Sequence, residues 1–188
     1  RVVNSLYLDD INMQNVEDNL AGITNREKER VRWYGETFGK IKSPVLEIKI
    51  KRGLLGAKEI YPLNTFILDK SFSKKLIQKL FEASNIPKYN MHILNLRNPT
   101  ILDVYTRKYF VSSDKKFRLT LDFNIEYFKI NQLHNTFLEK ISSPNIVMEI
   151  KYDAQFDNEA QKITNYFPFR VTKSSKYVSG ADYFYSVS

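Results

Sequence analysis

The sequence predicts an α+β fold, and three observations lead to that class. Several runs alternate charged or polar residues with apolar ones, which is the period of a strand with two different faces. One segment near the middle of the chain carries an apolar stripe at helical spacing. The two kinds of segment do not alternate strictly along the chain, as they do in doubly wound sheets. The 188 residues suffice for one domain with a sizeable core.

Composition excludes several classes of protein. The chain has no Cys, so it has neither a disulfide framework nor a thiolate metal site. No apolar run approaches the roughly 20 residues of a membrane span, and no signal peptide is visible. The 13 Phe and 12 Tyr residues favour strands. A net charge of +8 indicates a polyanionic partner, either nucleic acid, an anionic membrane or phosphates.

The first half of the chain predicts four strands and two helices. We expect strands at 2–8, 26–34, 45–51 and 58–63. Asp9 or Asp10 is a candidate N-cap for a short helix to Leu20, which Gly22 closes. A loop is expected at 40–44 and a glycine-containing turn at 52–56. The apolar stripe of Leu76, Ile77, Leu80 and Phe81 predicts a helix over 69–84, capped by Ser71 or Ser73 and followed by Pro87.

The second half predicts three strands and one helix. After a turn at Asn98-Pro99, we expect strands at 102–111 and 116–128, joined by a hairpin turn at 112–115. The segment 129–140 carries no clear signal. A further strand is predicted at 145–152 and a helix at 156–167, which Pro168 ends.

Five of these strands place basic side chains on a single face. The rows are Lys28/Arg30/Arg32, Glu47/Lys49/Lys51, Arg107, Arg118/Asp122 and Glu149/Lys151. The opposite rows are largely apolar. One interpretation is an antiparallel sheet with its charged face in water. The other is a barrel whose charged rows line the interior, because barrel strands also alternate between inside and outside. A lumen of like charge would need a phosphate chain as its partner.

A set of short motifs, taken in their order along the chain, favours the barrel interpretation. They are Ser5–Asp9 (Ser-Leu-Tyr-Leu-Asp), Arg26–Gly35, Leu46–Lys49, Tyr105-x-Arg107, Arg118–Asp122, Met148–Lys151 and Lys173–Tyr177 (Lys-Ser-Ser-Lys-Tyr). With these motifs the chain resembles the vacuolar transporter chaperone (VTC) domain, a polyphosphate polymerase family of the triphosphate tunnel metalloenzyme superfamily. The resemblance covers nearly the whole chain.

The resemblance implies a fold, an activity and a set of site residues. The fold is an antiparallel β-barrel tunnel of about eight strands with helices packed outside. The activity is metal-dependent transfer of the γ-phosphoryl group of ATP onto a growing polyphosphate chain. The catalytic cations would be Lys49, Arg30, Arg32 and Arg118. The further phosphate-binding residues would be Lys173, Ser175, Lys176, Lys151, Lys51 and Arg107. Glu149 would ligate Mn²⁺ or Mg²⁺, with Glu47 as a second candidate.

These residue types suit phosphoryl transfer, which needs in-line positioning and neutralised oxygens. Arg offers planar, bidentate contacts and Lys a compact point charge. One carboxylate on a hard cation, with phosphate oxygens and water, suits Mg²⁺ or Mn²⁺. Glu149 has an alternative role, an ion pair with a neighbouring Lys.

The chain departs from the family's pattern in one respect, and three other functions compete with polyphosphate synthesis. The family's opening strand, ahead of Ser5, is missing, so we expect residues 1–188 to be a single tunnel domain without that strand. The rivals are hydrolysis of tripolyphosphate or nucleoside triphosphates, non-catalytic polyphosphate binding, and nucleic-acid binding. The charged rows contain few carboxylates, which disfavours hydrolysis. The sequence has no RNP-like motif or Gly-rich clamp that would support nucleic-acid binding. We expect ATP and polyphosphate or pyrophosphate as ligands, and a cytoplasmic location, with any membrane coupling supplied by a partner protein.

Overall fold

The computed structural model of the protein describes residues 1–53 and 55–185. The strands within these ranges are β1 (Val2–Asp9), β2 (Arg26–Tyr34), β3 (Gly39–Ile41), β4 (Val45–Arg52), β5 (Leu55–Pro62), β6 (Phe66–Leu68), β7 (Asn98–Val111), β8 (Arg118–Lys129), β9 (Lys140–Ser143) and β10 (Val147–Lys151). The helices are α1 (Gln14–Leu20), α2 (Lys74–Glu82), α3 (Lys88–Leu96), α4 (Asp157–Thr164) and α5 (Lys176–Tyr185). None of these helices is long and apolar enough to cross a membrane.

Eight strands form one antiparallel sheet, which confirms the predicted α+β class. Their order is β10-β8-β7-β1-β2-β4-β5. Strand β10 pairs with residues 118–122 of β8, and β9 pairs with residues 125–128 of the same strand. The short strands β3 and β6 form a separate ribbon. Among the described residues, no ladder joins the edge strands β5 and β10. The sheet is therefore curled and open along one side, an approximate tunnel rather than the closed barrel that we predicted.

The sheet has one apolar face and one charged face. We call the apolar one the outer face, because α2 and α3 cover it. Its buried core includes Leu6, Val31, Trp33, Leu46, Ile48, Leu102, Val104, Ile77, Phe81 and Leu94. We call the opposite face, which carries the basic rows, the channel face. Here a smaller cluster of Tyr7, Ile101, Tyr105, Tyr127, Tyr177 and Ala181 packs α5 against β1, β7 and β8. Helices therefore cover the apolar rows, as the barrel interpretation requires.

The predicted helices occur with shifted ends. Ser73 caps α2, because its hydroxyl accepts a hydrogen bond from the Leu76 amide. Asp10 Oδ1 accepts from the amides of Asn12 and Gln14 ahead of α1. The predicted helix 156–167 is a 3₁₀ turn at Ala154–Phe156 followed by α4.

Other elements differ from the prediction. Pro87 was expected to stop a helix, but it precedes α3, where its missing amide costs nothing. The expected turn at Asn98-Pro99 is the start of β7, and the expected loop at 40–44 begins with part of β3. Helix α5 was not predicted. In the expected turn at 52–56, Gly53 has a φ of 57°, and residue 54 lies outside the described residues.

A bulge in β8 changes which side chains face the channel. The register with β7 shifts between the pairs Val104–Glu126 and Thr106–Phe123, and Asn124 has a φ of 52°. Before the bulge, Asp122 is on the channel face; after it, Tyr127 is. An extra residue moves every later side chain of a strand to the other face.

Gly180 sets how closely α5 approaches the sheet. A Cβ at this position would lie 2.7 Å from Tyr127 Cδ1 and 3.0 Å from Ile101 Cγ2. We expect Gly180→Val to lower the free energy of unfolding by about 1–3 kcal/mol through overpacking. Urea unfolding followed by circular dichroism measures this. Asp182→Val, at an exposed position of the same helix, should change it by only about 0.5 kcal/mol. Equal midpoints for the two variants would contradict the packing argument.

Candidate functional site

The pairing of β1, β2 and β4 brings cationic side chains together on the channel face. Arg30 lies opposite Tyr7 on one side and Glu47 on the other. Arg32 lies opposite Ser5, and its Nε and Nη2 atoms donate to the Ser5 hydroxyl at 3.2 and 3.0 Å. The guanidinium of Arg30 also donates to the Tyr7 hydroxyl at 3.1 Å. Both arginines are thus held by hydroxyl groups of β1, which limits the directions their guanidinium groups can take.

Glu47 is the anion that these cations share. Arg30 Nη2 lies 2.6 Å from Glu47 Oε2, and Arg32 Nη1 lies 3.4 Å from the same oxygen. Lys58 Nζ from β5 bonds the other oxygen, Oε1, at 3.0 Å. Burial alone would raise the pKa of Glu47, but Arg30, Arg32 and Lys58 outweigh it and lower that pKa to about 2. Three cations on one carboxylate leave an excess of positive charge.

Lysines form a second row beside this cluster. Lys28 lies opposite Lys49, and Lys49 lies opposite Lys58. Burial, together with the charges of Arg26, Lys49 and Arg30, lowers the pKa of Lys28 to about 8. Burial and Arg30 also lower the pKa of Lys49. Cations that depress one another's pKa values this way favour an anion among them.

The charges of β10 act on Lys49 of β4, although four strands separate β10 from β4 in the sheet order. After burial and Arg30, the influences on the pKa of Lys49 are Glu149, which raises it, and Lys151, which lowers it. Such effects require short separations between the charged groups. The curl of the sheet therefore leaves Glu149 and Lys151 near enough to Lys49 to act on its charge.

The segment entering α5 spans the same channel. The ammonium of Lys28 on β2 donates to the Ser175 hydroxyl at 3.1 Å. Lys176, the next residue, bonds Asp122 on β8, and its Nζ lies 4.6 Å from the ring centre of Tyr105. Ser175 and Lys176 therefore link the two sides of the curled sheet.

Tyr177 anchors the first turn of α5. Its hydroxyl donates to Asp9 Oδ2 at 2.6 Å, and its ring stacks on that of Tyr7 with 4.5 Å between the ring centres. This buried contact holds the Lys-Ser-Ser-Lys-Tyr motif against the sheet.

The remaining predicted cations lie outside the Glu47 cluster. Arg107 makes a bidentate ion pair with Asp122, one bond of which is 2.7 Å long. Arg118 is exposed and lies opposite Lys151 in the ladder of β8 and β10. Lys51 is half-buried at the end of β4, and Lys173 is exposed in the segment before α5. The structure thus concentrates Arg30, Arg32, Lys49, Ser175 and Lys176, and leaves Arg118, Lys151, Lys51 and Lys173 at the edges.

Three channel residues were not among the predicted site residues. Lys58 completes the shell of Glu47, Asp122 joins Arg107 to Lys176, and Asp103 is buried beneath the cluster. Asp122 stood in a predicted charged row, and Asp103 has the same strand parity as Arg107, so strand parity was the available signal. Lys58 is followed by the apolar Ile60 on its face, which hides it in the pattern.

A family model described as the VTC domain matches residues 1–185. The chain belongs to the VTC domain family. This family is associated with polyphosphate polymerase activity, is metal-dependent in general, and binds nucleotide and polyphosphate in general. A comparison with curated proteins gave no match.

The two carboxylates predicted to hold the metal of a VTC domain differ in their surroundings. Glu149 is half exposed, and within the described residues its ion pair is with Lys151, at 3.5 Å. Such exposed pairs are weak and easily exchanged. Both oxygens of Glu47 are already bonded to cations. The donor chemistry of Glu149 therefore fits a single carboxylate ligand for a hard divalent ion, while a metal ion at Glu47 would have to displace a cation.

Proposed function

We propose that this VTC domain is an ATP-dependent polyphosphate polymerase. The observation that carries the proposal is the convergence of cations from β2, β4, β5 and α5 on one curled face, with too few carboxylates to balance them. A site of this charge is suited to a long polyanion. Membership of the VTC family makes phosphoryl transfer the expected chemistry.

In this proposal the chain positions two phosphate groups in line. The terminal oxygen of the polyphosphate acceptor attacks the γ-phosphorus of ATP, the bond to the β–γ bridging oxygen breaks, and ADP leaves. Arg30 and Arg32 bind phosphate oxygens through guanidinium atoms that Tyr7 and Ser5 orient. Lys49 provides a point charge near the transferring group.

The segment before α5 and the outer cations guide the rest of the ligand. Lys176 and Ser175 contact phosphate oxygens from above the sheet. Lys173, Lys51, Arg107, Arg118 and Lys151 attract and guide the flexible parts of the nucleotide and product. Bound Mn²⁺ or Mg²⁺ would supply charge neutralisation on the phosphate oxygens. Glu149 would hold it, with Glu47 as the second candidate.

The test is incubation of the protein with ATP and Mn²⁺, followed by gel electrophoresis with a polyphosphate stain. We expect a ladder of long chains, together with ADP in equal number to the phosphoryl groups transferred. Glu149→Gln should abolish the dependence of the rate on Mn²⁺ concentration, whereas Glu139→Gln, outside the predicted site, should leave it intact.

Other products would replace the proposal. Free phosphate without a ladder would establish a hydrolase, and tight polyphosphate binding without turnover would establish a binding module. The affinity for tripolyphosphate should fall steeply with added salt, because screening weakens every contact in a charge-lined channel. A flat response to salt would contradict binding on the channel face.

A further inference from the structure

Asp122 on the channel face of β8 holds two cations that belong to different elements. In the sheet ladder it lies directly opposite Arg107 of β7. Arg107 donates to both carboxylate oxygens, through Nε to Oδ1 and through Nη2 to Oδ2 at 2.7 Å. The ammonium of Lys176, at the start of α5, donates to the same Oδ2. One carboxylate oxygen therefore holds a nitrogen of Arg107 and the nitrogen of Lys176 side by side.

Stability alone does not account for this buried ion cluster. Burial would raise the pKa of Asp122, but its hydrogen bonds from Arg107 and Lys176 outweigh burial and lower that pKa. The carboxylate is therefore ionised at neutral pH. Removing charges from water costs about as much as their mutual attraction returns, so a buried ion cluster adds little net stability over an apolar one. A role toward a ligand is the alternative reason for such a cluster.

Both cations of the cluster remain accessible from the channel. The side chains of Arg107 and Lys176 keep 14% and 12% of their surface exposed, whereas that of Asp122 keeps 1%. The ring of Tyr105 supports them, with its centre 5.2 Å from Arg107 Cζ and 4.6 Å from Lys176 Nζ. A guanidinium and an ammonium have more N–H donors than Asp122 uses. The cluster thus offers an excess of positive charge and spare donors to a ligand.

We propose that Asp122 is a positioning residue, which fixes Arg107 and Lys176 as one clamp for neighbouring oxygens of a phosphate chain. Long basic side chains lose rotamer freedom when they bind a ligand, and this loss weakens binding. A carboxylate that already holds both cations removes most of that loss before the ligand arrives. In this clamp Arg107 contacts the phosphate chain directly, beside Lys176. The inference rests on the proposed function, because it requires a phosphate chain in the channel.

The sign of one mutational effect separates positioning from simple charge balance. A carboxylate that served only as a counter-charge would repel an incoming polyanion, so its removal would strengthen binding. A positioning carboxylate has the opposite effect, because Arg107 and Lys176 lose the acceptor that holds them. Asp122→Asn removes the charge with little change of volume. We expect this variant to bind tripolyphosphate about tenfold more weakly at constant salt.

The test is calorimetric titration of tripolyphosphate into each protein at one pH and one ionic strength. Glu126→Gln is the matched control, since it makes the same change of charge on the same strand. Glu126 lies opposite Val104 of the outer core and pairs with Lys140 at 2.7 Å, so it takes no part in the channel face. Its replacement should leave the affinity within about twofold of the unmodified protein.

A double-mutant cycle shows whether Asp122 acts through Lys176. Residues that work as one unit have effects that do not add. In a Lys176→Ala background, Asp122→Asn should therefore weaken tripolyphosphate binding by about threefold or less, instead of about tenfold. The same tenfold loss in both backgrounds would contradict action through Lys176.

Two further variants keep the test decisive if Asp122→Asn does not fold, which a thermal melt reveals. Asp122→Ser removes the same charge with a smaller side chain and should also weaken binding. Asp122→Glu keeps the charge and should restore the affinity to within about threefold of the unmodified protein. Binding by the uncharged variants that is equal to or tighter than that of the unmodified protein would overturn the positioning role alone. No tripolyphosphate binding by the unmodified protein would overturn the proposed function with it.

Discussion

Replacement Lys49→Ala is expected to lower the rate of polyphosphate synthesis about 100-fold while the protein stays folded. Lys49 is exposed on the channel face, and the charges of Glu149 and Lys151 on β10 act on its pKa. In the proposed mechanism its charge helps to neutralise the oxygens of the transferring phosphoryl group. Initial rates with ATP and Mn²⁺, together with a thermal melt of the variant, measure the two parts of this expectation.

Lys75→Ala is the control for net charge. Lys75 is exposed on α2, on the outer side of the sheet, and its loss also removes one positive charge from the net +8. We expect its rate to stay within about twofold of the unmodified protein. Equal rates for Lys49→Ala and Lys75→Ala would show that the position of Lys49 in the channel does not matter for catalysis.

Replacement Glu47→Gln is expected to lower the free energy of unfolding by about 3 kcal/mol. The side chain is only 7% exposed, and it bonds Arg30, Arg32 and Lys58. Removing its charge leaves these cations close together without an anion. Urea unfolding at neutral pH measures the loss.

Glu126→Gln shows how much of this loss comes from burial. Glu126 pairs with Lys140 at 2.7 Å, but the two side chains are 31% and 49% exposed. An exposed pair of this kind contributes at most about 1 kcal/mol. A loss for Glu47→Gln no greater than that for Glu126→Gln would show that the buried cluster does not stabilise the fold.

The pKa of Glu47 also predicts how the stability difference between the unmodified protein and Glu47→Gln depends on pH. This pKa is lowered from 4.5 to about 2, so the carboxylate contributes stability that is fully present above pH 4.5. The contribution is lost as the pH falls through 2. The stability difference between the unmodified protein and Glu47→Gln should therefore shrink from pH 5 downward.

Strand parity was readable from the sequence, but strand irregularities were not. The alternation in 26–34 and 45–51 correctly separated a cationic row from an apolar row. The bulge at Asn124 could not be predicted, because a single residue in a left-handed conformation leaves no period in the sequence. Tyr127, after that bulge, consequently faces the channel rather than the outer core.

Helix α5 was missed for a related reason. Its residues Lys176–Tyr185 contain Gly180 and several aromatic residues, which are poor intrinsic helix formers. The helix exists because Tyr177 and Ala181 bury against the sheet, and Gly180 lets the helix approach it closely. Tertiary packing supplies stability that local propensity lacks.

By itself the sequence determined the α+β class, the sidedness of the strands and the residue types available for a phosphate chain. These properties depend on local alternation and on side-chain chemistry, which any stretch of chain displays. Only the tertiary structure decided that Lys58 completes the shell of Glu47, that the charges of β10 act on Lys49, and that Asp103 is fully buried beneath the cations. Those contacts join segments far apart in the chain, and the curl of the sheet sets them, not the pattern within any one strand.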